Sequence, residues 1–396
     1  MIKSLRDRYN AHFQEEKYKA VVDEIASTFN HRAPFRIAET PVFINKTLGG
    51  RIIKASFDIV DVVSQPNFKD LSKSALLAGQ VVPNETAHTT FLQMDFGLCI
   101  GENGTIEPQL IETQGFPSLY FFQDVLARAY RKHFDIPSDY LHLFSGLTSE
   151  TYQKKLREII VGDHHPENVV LLEVEPEKQA TAIDFIIAKK WLGIEVLCVS
   201  ELIKEGRHLY YKKDGRQIKI DRIFNRVIFD ELIRRDDLKR QFYFTEDVDV
   251  EWVGHPNWFF RISKHTLPLI DSPYAPKSHL LSELDTLPED LHNYVLKPLY
   301  SFAGTGVIIN INRYDLDSIK DPENYIIQRK VKYAPIISTP GGGAKAEVRM
   351  MMFWEHGAER PYLVNNLVRI SKGEMVGVRY NKGRSWVGGS VGFFEP

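Results

Sequence analysis

From 91 to 100 the chain reads FLQMDFGLCI, apolar and polar positions alternating like a strand. Glu102, Asn103 and Gly104 supply a turn, and 106–113 returns as a second strand. Residues 4–29 carry Tyr9, Phe13, Tyr18, Val21, Val22 and Ile25 at helical spacing, which predicts one charged helix that ends before Pro34. Short apolar segments follow at 41–44 and 52–63, and helices are predicted over 68–77 and 119–134. From about 147 the pattern changes. VVLLEV at 169–174 reads as a short buried strand, 180–192 as an amphipathic helix capped by Gly193, and 195–199 as the next strand. That β-α-β order predicts a small open sheet of parallel strands. A hairpin over 210–220 turns at Lys213, Asp214 and Gly215.

In the last third, YVLKPLYSFAGTGVIIN at 294–310 predicts two strands joined by a small-residue loop. An apolar strand turning polar occupies 325–331, and STPGGGAK at 338–345 predicts a mobile loop. A strand beginning at Glu347 turns back at His356 and Gly357, and 367–371 with 375–380 predicts a further hairpin through Lys372 and Gly373.

With 396 residues the chain has room for two or three domains. A net charge of −2 gives no electrostatic case for nucleic acid or an anionic membrane as partner. Cys99 and Cys198 each lie in an apolar run, which predicts buried, reduced thiols and a cytoplasmic protein. The N-terminus has no apolar signal-like core, and no apolar run approaches the roughly 20 residues that span a bilayer. The sequons at Asn45, Asn84 and Asn103 therefore need no sugars.

Four groups of residues carry candidate chemistry. Lys297 lies mid-strand among apolar residues, where an ammonium is costly without a negative partner. The following loop, Ser301, Phe302, Ala303, Gly304, Thr305 and Gly306, has backbone N–H groups able to face an anion. Together they read either as a lid over nucleotide phosphates or as a surface hairpin with one stray lysine. No Walker loop is present, since Lys297 precedes the glycines. Gln328, Arg329, Lys330 and Val331 end a strand that suits the wall of an adenine pocket, or a buried edge strand. Asp95, Glu112 and Gln114 place three oxygen-bearing side chains on adjacent strands, either a seat for Mg²⁺ or a solvated hairpin face. Asn225 and Arg226 at a strand's end suit a substrate carboxylate or a surface ion pair. His164 and His165 lack a nearby third ligand and read as loop.

In their order these pieces resemble the ATP-grasp superfamily, most of all the circularly permuted branch that contains glutathionylspermidine synthetase. Lysine, lysine with glycine loop, adenine strand and arginine strands run from Lys264 to Arg369, but no metal motif follows. It is found at the front instead, where MDF and LIETQGFPSLY resemble the family's metal-binding text. The resemblance covers about 85–125 and 160–396. It implies an α/β (α+β) fold, a circularly permuted ATP-grasp with a small open α/β domain of the pre-ATP-grasp kind. The implied division is 1–125 for the N-terminal helix and metal-binding portion, 126–255 for the substrate domain and 256–396 for the lid and core. The implied activity is an ADP-forming ligase joining a small-molecule carboxylate to an amine through an acyl phosphate. The alternative is a catalytically impaired nucleotide-binding module. ATP would be held by Lys264, Lys297 and the glycine loop, and Mg²⁺ by Asp95, Glu112 and Gln114. Two positions depart from the family pattern: Gln114 replaces an asparagine, and Gln93 replaces the arginine that steadies the transferring phosphoryl group. Arg349, Arg369 and Arg379 are the candidates to replace it as catalytic cations.

Overall fold

The computed structural model describes residues 2–300, 305–373 and 376–396, the side chains of Val378 and Arg379 excepted. A central antiparallel sheet is assembled from both ends of the chain. Its strands run Gly388–Ser390, Tyr362–Ser371, Gly342–Phe353, Phe91–Ile100 and Ile106–Gln114 in that order, and Ile337–Thr339 pairs at the end of Gly342–Phe353. Strand alternation divides the faces. Leu92, Met94, Phe96, Leu98, Val348, Met350 and Met352 are fully buried on one face, in a core shared with the helix Lys46–Val63. The opposite face changes along its length. Phe91, Met351 and Phe353 pack into a second core with the helix Phe122–His133, and beyond them the same face carries Gln93, Asp95, Glu347 and Arg349.

Beside it lies a parallel sheet in the order Glu251–Val253, Arg222–Asn225, Val169–Glu173, Glu195–Cys198. The helix Ala182–Leu192 connects two of these strands and ends at Gly193 with φ 75°, the left-handed cap its sequence predicts. This helix is buried nearly all round, because helices pack on the side away from the sheet. Asn225 and Arg226 stand at the C-terminal end of the second strand.

Ser278–Leu280, Tyr325–Arg329 and Tyr294–Pro298 form a three-stranded antiparallel sheet. Tyr325–Arg329 is its middle strand, not an edge. The second arm of the predicted 294–310 hairpin is reduced to one bridge, Leu296 with Ile308. Residues 338–345 are not a loop: Ile337–Thr339 and the start of Gly342–Phe353 pair, since a long partnered strand overrides the glycines' weak propensity. Pro340 and Gly341 make the turn between them, and Gly342, the first residue of the second strand, sits at φ 99°. Met375 lies outside the described residues; among those described, the predicted second arm does not form a strand, because Val378–Asn381 makes a 3₁₀ turn held by the Asn381 side chain. The expected single N-terminal helix is two, Lys3–Ala11 and Glu15–Phe29, and 68–77 shortens to Phe68–Leu71 and a 3₁₀ turn. Chain ends meet where Gly392–Phe394 pairs in parallel with Val42–Ile44. Both cysteines are free and buried. Among the described residues no helix is long and apolar enough to cross a membrane.

Candidate functional site

Register concentrates charge on the polar half of the central sheet. Arg349 lies opposite Asp95, Asp95 opposite Glu112, and Glu347 opposite Arg369. Cross-strand neighbours of this kind meet at about 4.5–5.5 Å between Cβ atoms. Arg349 donates Nε to Asp95 Oδ1 at 2.6 Å and Nη2 to Oδ2 at 2.7 Å, a bidentate pair. Its Nη1 donates to Gln93 Oε1 at 3.0 Å. Arg369 donates Nη2 to Asp95 and also pairs with Glu347 Oε1 at 2.9 Å. The Tyr333 hydroxyl donates to Glu347 Oε2 at 2.6 Å. Burial would raise the Asp95 pKa, but Arg349 and Arg369 outweigh it and hold the carboxyl at about 2. Glu347 goes the other way: burial raises it, and Arg369 opposes incompletely.

Two lysines approach this cluster from neighbouring elements. Lys297 of the three-stranded sheet is buried, and its Nζ donates to Gln328 Oε1 at 2.5 Å and to the Ile111 carbonyl at 3.0 Å. Burial, offset in part by Glu112 and reinforced by Lys264, lowers its pKa to about 8. Lys264 opens the 3₁₀ turn Lys264–Leu269, tied to the front strand by Thr113 Oγ1 donating to the Ser263 carbonyl at 2.9 Å. It is buried as well, and burial lowers its pKa against the pull of Glu112 and Asp230. The front hairpin and the two lysines, far apart in sequence, therefore share one electrostatic site.

At the end of the parallel sheet, Arg226 is 2 % exposed, which removes the surface ion pair from consideration. Its guanidinium lies over the Phe116 ring at 4.2 Å and the Phe185 ring at 5.2 Å. Nε and Nη1 find no hydrogen-bond partner among the described residues, and neither does Asn225 Nδ2. Buried donors of this sort call for an acceptor. Burial lowers the Arg226 pKa against Glu173 and Asp184, and the positive charge of nearby Arg349 adds to the lowering. Burial pushes Glu173 up to about 8 despite Arg226, and Asp184 up to about 6.

Asp95, Glu112, Gln114, Lys264, Lys297, Arg349 and Arg369 thus come together, with Asn225 and Arg226 alongside. Ser301, Phe302, Ala303 and Gly304 lie outside the described residues, as does the Arg379 side chain. Thr305 and Gly306 are exposed, and Gly306 sits at φ 73° against Pro298. Of the residues expected to frame adenine, Arg329 and Lys330 have their backbone N–H groups engaged. Gln328 turns its side chain to Lys297, and Arg329 donates its N–H to the Lys277 carbonyl at 2.8 Å. Lys330 donates to the Asn293 carbonyl at 2.7 Å, and Val331 packs beside Gly97. The donor set expected for Mg²⁺ does not fit a divalent cation. Both Asp95 oxygens are taken by arginine, and Gln114 turns its amide nitrogen to Glu112 Oε1 at 2.6 Å. Among the described residues no group of three or more His, Cys, Asp or Glu side chains is arranged to hold a metal ion. Glu347, Tyr333, Glu173 and Asp184 were not expected here. Glu347 had one signal, its position two residues before Arg349 on the same strand face.

No protein-family model matches the chain, and no curated protein matches it. Among solved structures, a glutathione synthetase-like effector from Globodera pallida, in its apo form, is similar over 96% of this chain and 96% of its own. The TM-score is 0.55 and the identity 10%, so the two proteins share a mixed α and β fold and nothing finer follows from the likeness.

Proposed function

We propose that this chain is an ATP-dependent carboxylate–amine ligase of ATP-grasp architecture, in the circularly permuted arrangement. The observation that carries the reading is the juxtaposition of two cationic seats. Arg226 offers a buried guanidinium with unpaired N–H groups, and it lies close enough to Arg349 for each to feel the other's charge. Arg349, Arg369, Lys264 and Lys297 form the second seat. A carboxylate at the first and a triphosphate at the second are the two reactants of acyl-phosphate formation.

In the proposed reaction a carboxylate oxygen attacks the γ-phosphorus of ATP. The bond from that phosphorus to the β,γ-bridging oxygen breaks, and ADP leaves. The amine nitrogen then attacks the acyl carbon, the carbon–oxygen bond to phosphate breaks, and the ammonium proton passes to water. Arg226 holds and orients the carboxylate, while the four cations neutralise charge on the phosphoryl oxygens. A second reading, nucleotide binding without turnover, is favoured by one observation: Gln93, at the position of the family's arginine, accepts from Arg349 instead of presenting a charge of its own.

Phosphate release by the purified protein, measured with ATP against a panel of carboxylates paired with amines, tests the proposal. Release that requires both a carboxylate and an amine supports ligation. ATP binding with no release for any pair leaves the second reading in its place.

A further inference from the structure

We propose that Arg349 and Arg369 stand in for the divalent cation, so that this protein binds the polyphosphate of a nucleotide free of metal. The inference rests on the ATP-binding part of the reading above and extends it to the ionic form of the ligand.

Four cationic side chains, Arg349, Arg369, Lys297 and Lys264, face three carboxylates, Asp95, Glu112 and Glu347. A magnesium seat needs the reverse, carboxylate oxygens in excess with open lone pairs. Here Arg349 spans both Asp95 oxygens, and Arg369 bridges Asp95 and Glu347. A divalent cation at Asp95 would adjoin two guanidinium groups in a buried site, where like charges repel strongly. Glu347 is further withdrawn from metal binding by the Tyr333 hydroxyl that donates to it. An incoming phosphate meets the opposite field. Planar guanidinium forks match phosphate oxygens, and Arg369 Nε finds no hydrogen-bond partner among the described residues. The strands hold both arginines in place, so the cationic floor exists before ligand arrives.

The test is calorimetric titration of the full chain with β,γ-imido-ATP, once in EDTA and once in excess Mg²⁺. Dissociation constants within about threefold of each other are expected, since metal chelation should contribute little. In EDTA, Arg349→Met should weaken binding by roughly 10–100-fold, in proportion to a lost hydrogen bond to a charged group. Arg349→Lys, which keeps the charge and loses the fork, guards against a folding failure and should fall in between. Binding that appears only with Mg²⁺, or tightens tenfold or more with it, overturns the inference and leaves ATP binding intact. Absence of binding in both conditions overturns the inference together with the ATP reading.

Discussion

Lys297→Met separates a nucleotide lysine from a structural one, and the structure supplies the magnitudes. Lowering its pKa from 10.5 to about 8 corresponds to roughly 3 kcal/mol of native-state destabilisation of the charged form. Methionine removes that term but leaves Gln328 Oε1 and the Ile111 carbonyl without their donor. An unsatisfied buried acceptor costs about 1–3 kcal/mol. The two effects are close, so a melting temperature at pH 7 decides little. The pH dependence decides more. Between pH 8 and 10.5 the unfolded lysine binds a proton that the folded one has lost, so wild-type stability rises across that window. The variant should lose most of that rise. A remnant persists from Lys264, whose pKa burial also lowers. Urea unfolding at pH 7.5 and 10 measures the slope, and nucleotide titration should show a roughly 10–100-fold loss of affinity. A variant with a wild-type slope, or with unchanged ATP affinity, refutes the reasoning.

Three further outcomes follow from neighbouring groups. Arg226→Lys keeps the charge but not the fork, so the KM for the carboxylate should rise by roughly 10-fold or more while KM for ATP holds; steady-state kinetics with each substrate varied in turn checks this. Glu173 has its folded pKa raised from 4.5 to about 8, so stability falls as pH rises through that window; Glu173→Gln should remove the fall, stabilising by up to about 4–5 kcal/mol at pH 8 and little at pH 4.5 in chemical unfolding. Asp95→Asn leaves buried Arg349 and half-buried Arg369 without their shared carboxylate and should destabilise by about 3–5 kcal/mol near neutral pH, with the difference from wild type shrinking as pH falls below the unfolded value of 3.8 and through about 2.

Much of the scaffold was legible because it obeys local periodicities. The strands Phe91–Ile100 and Val169–Glu173, and the turn at Asp214 and Gly215, follow from alternation, an apolar run and a φ of 50° and 76° at turn residues. Lys297 stood out as a charge in an apolar run, and the structure places it against the front hairpin. What was not legible depended on pairing over long distance. Arg349 is opposite Asp95 across 254 positions, and no local pattern records which arginine meets which carboxylate. Glu173 ends an apolar run, so its closeness to Arg226 appears only when two parallel strands align. Gly342 and Gly343 misled for a physical reason: their weak strand propensity is overruled by partners at Ser338 and Thr339.

The distribution of cations between elements has its own logic. Arg349 and Arg369 sit on long strands of the central sheet, and Phe353, on the strand of Arg349, lies against Tyr120 and Tyr152, each at 5.6 Å between ring centroids. Lys297 sits on a three-stranded sheet whose own core is small, Tyr294, Leu296, Ile311, Leu316 and Ile327. Small cores open at lower free energy than large ones. The lysine's bond to the Ile111 carbonyl is thus one of the links that hold this sheet, the lid of the proposed reading, against the front hairpin, and a phosphate that recruits the ammonium competes with that link directly. In the proposed nucleotide complex, binding exchanges a neutral acceptor for a charged one. This gives the ligand a differential hold on the lid's position, while the arginine floor beneath it has no need to move.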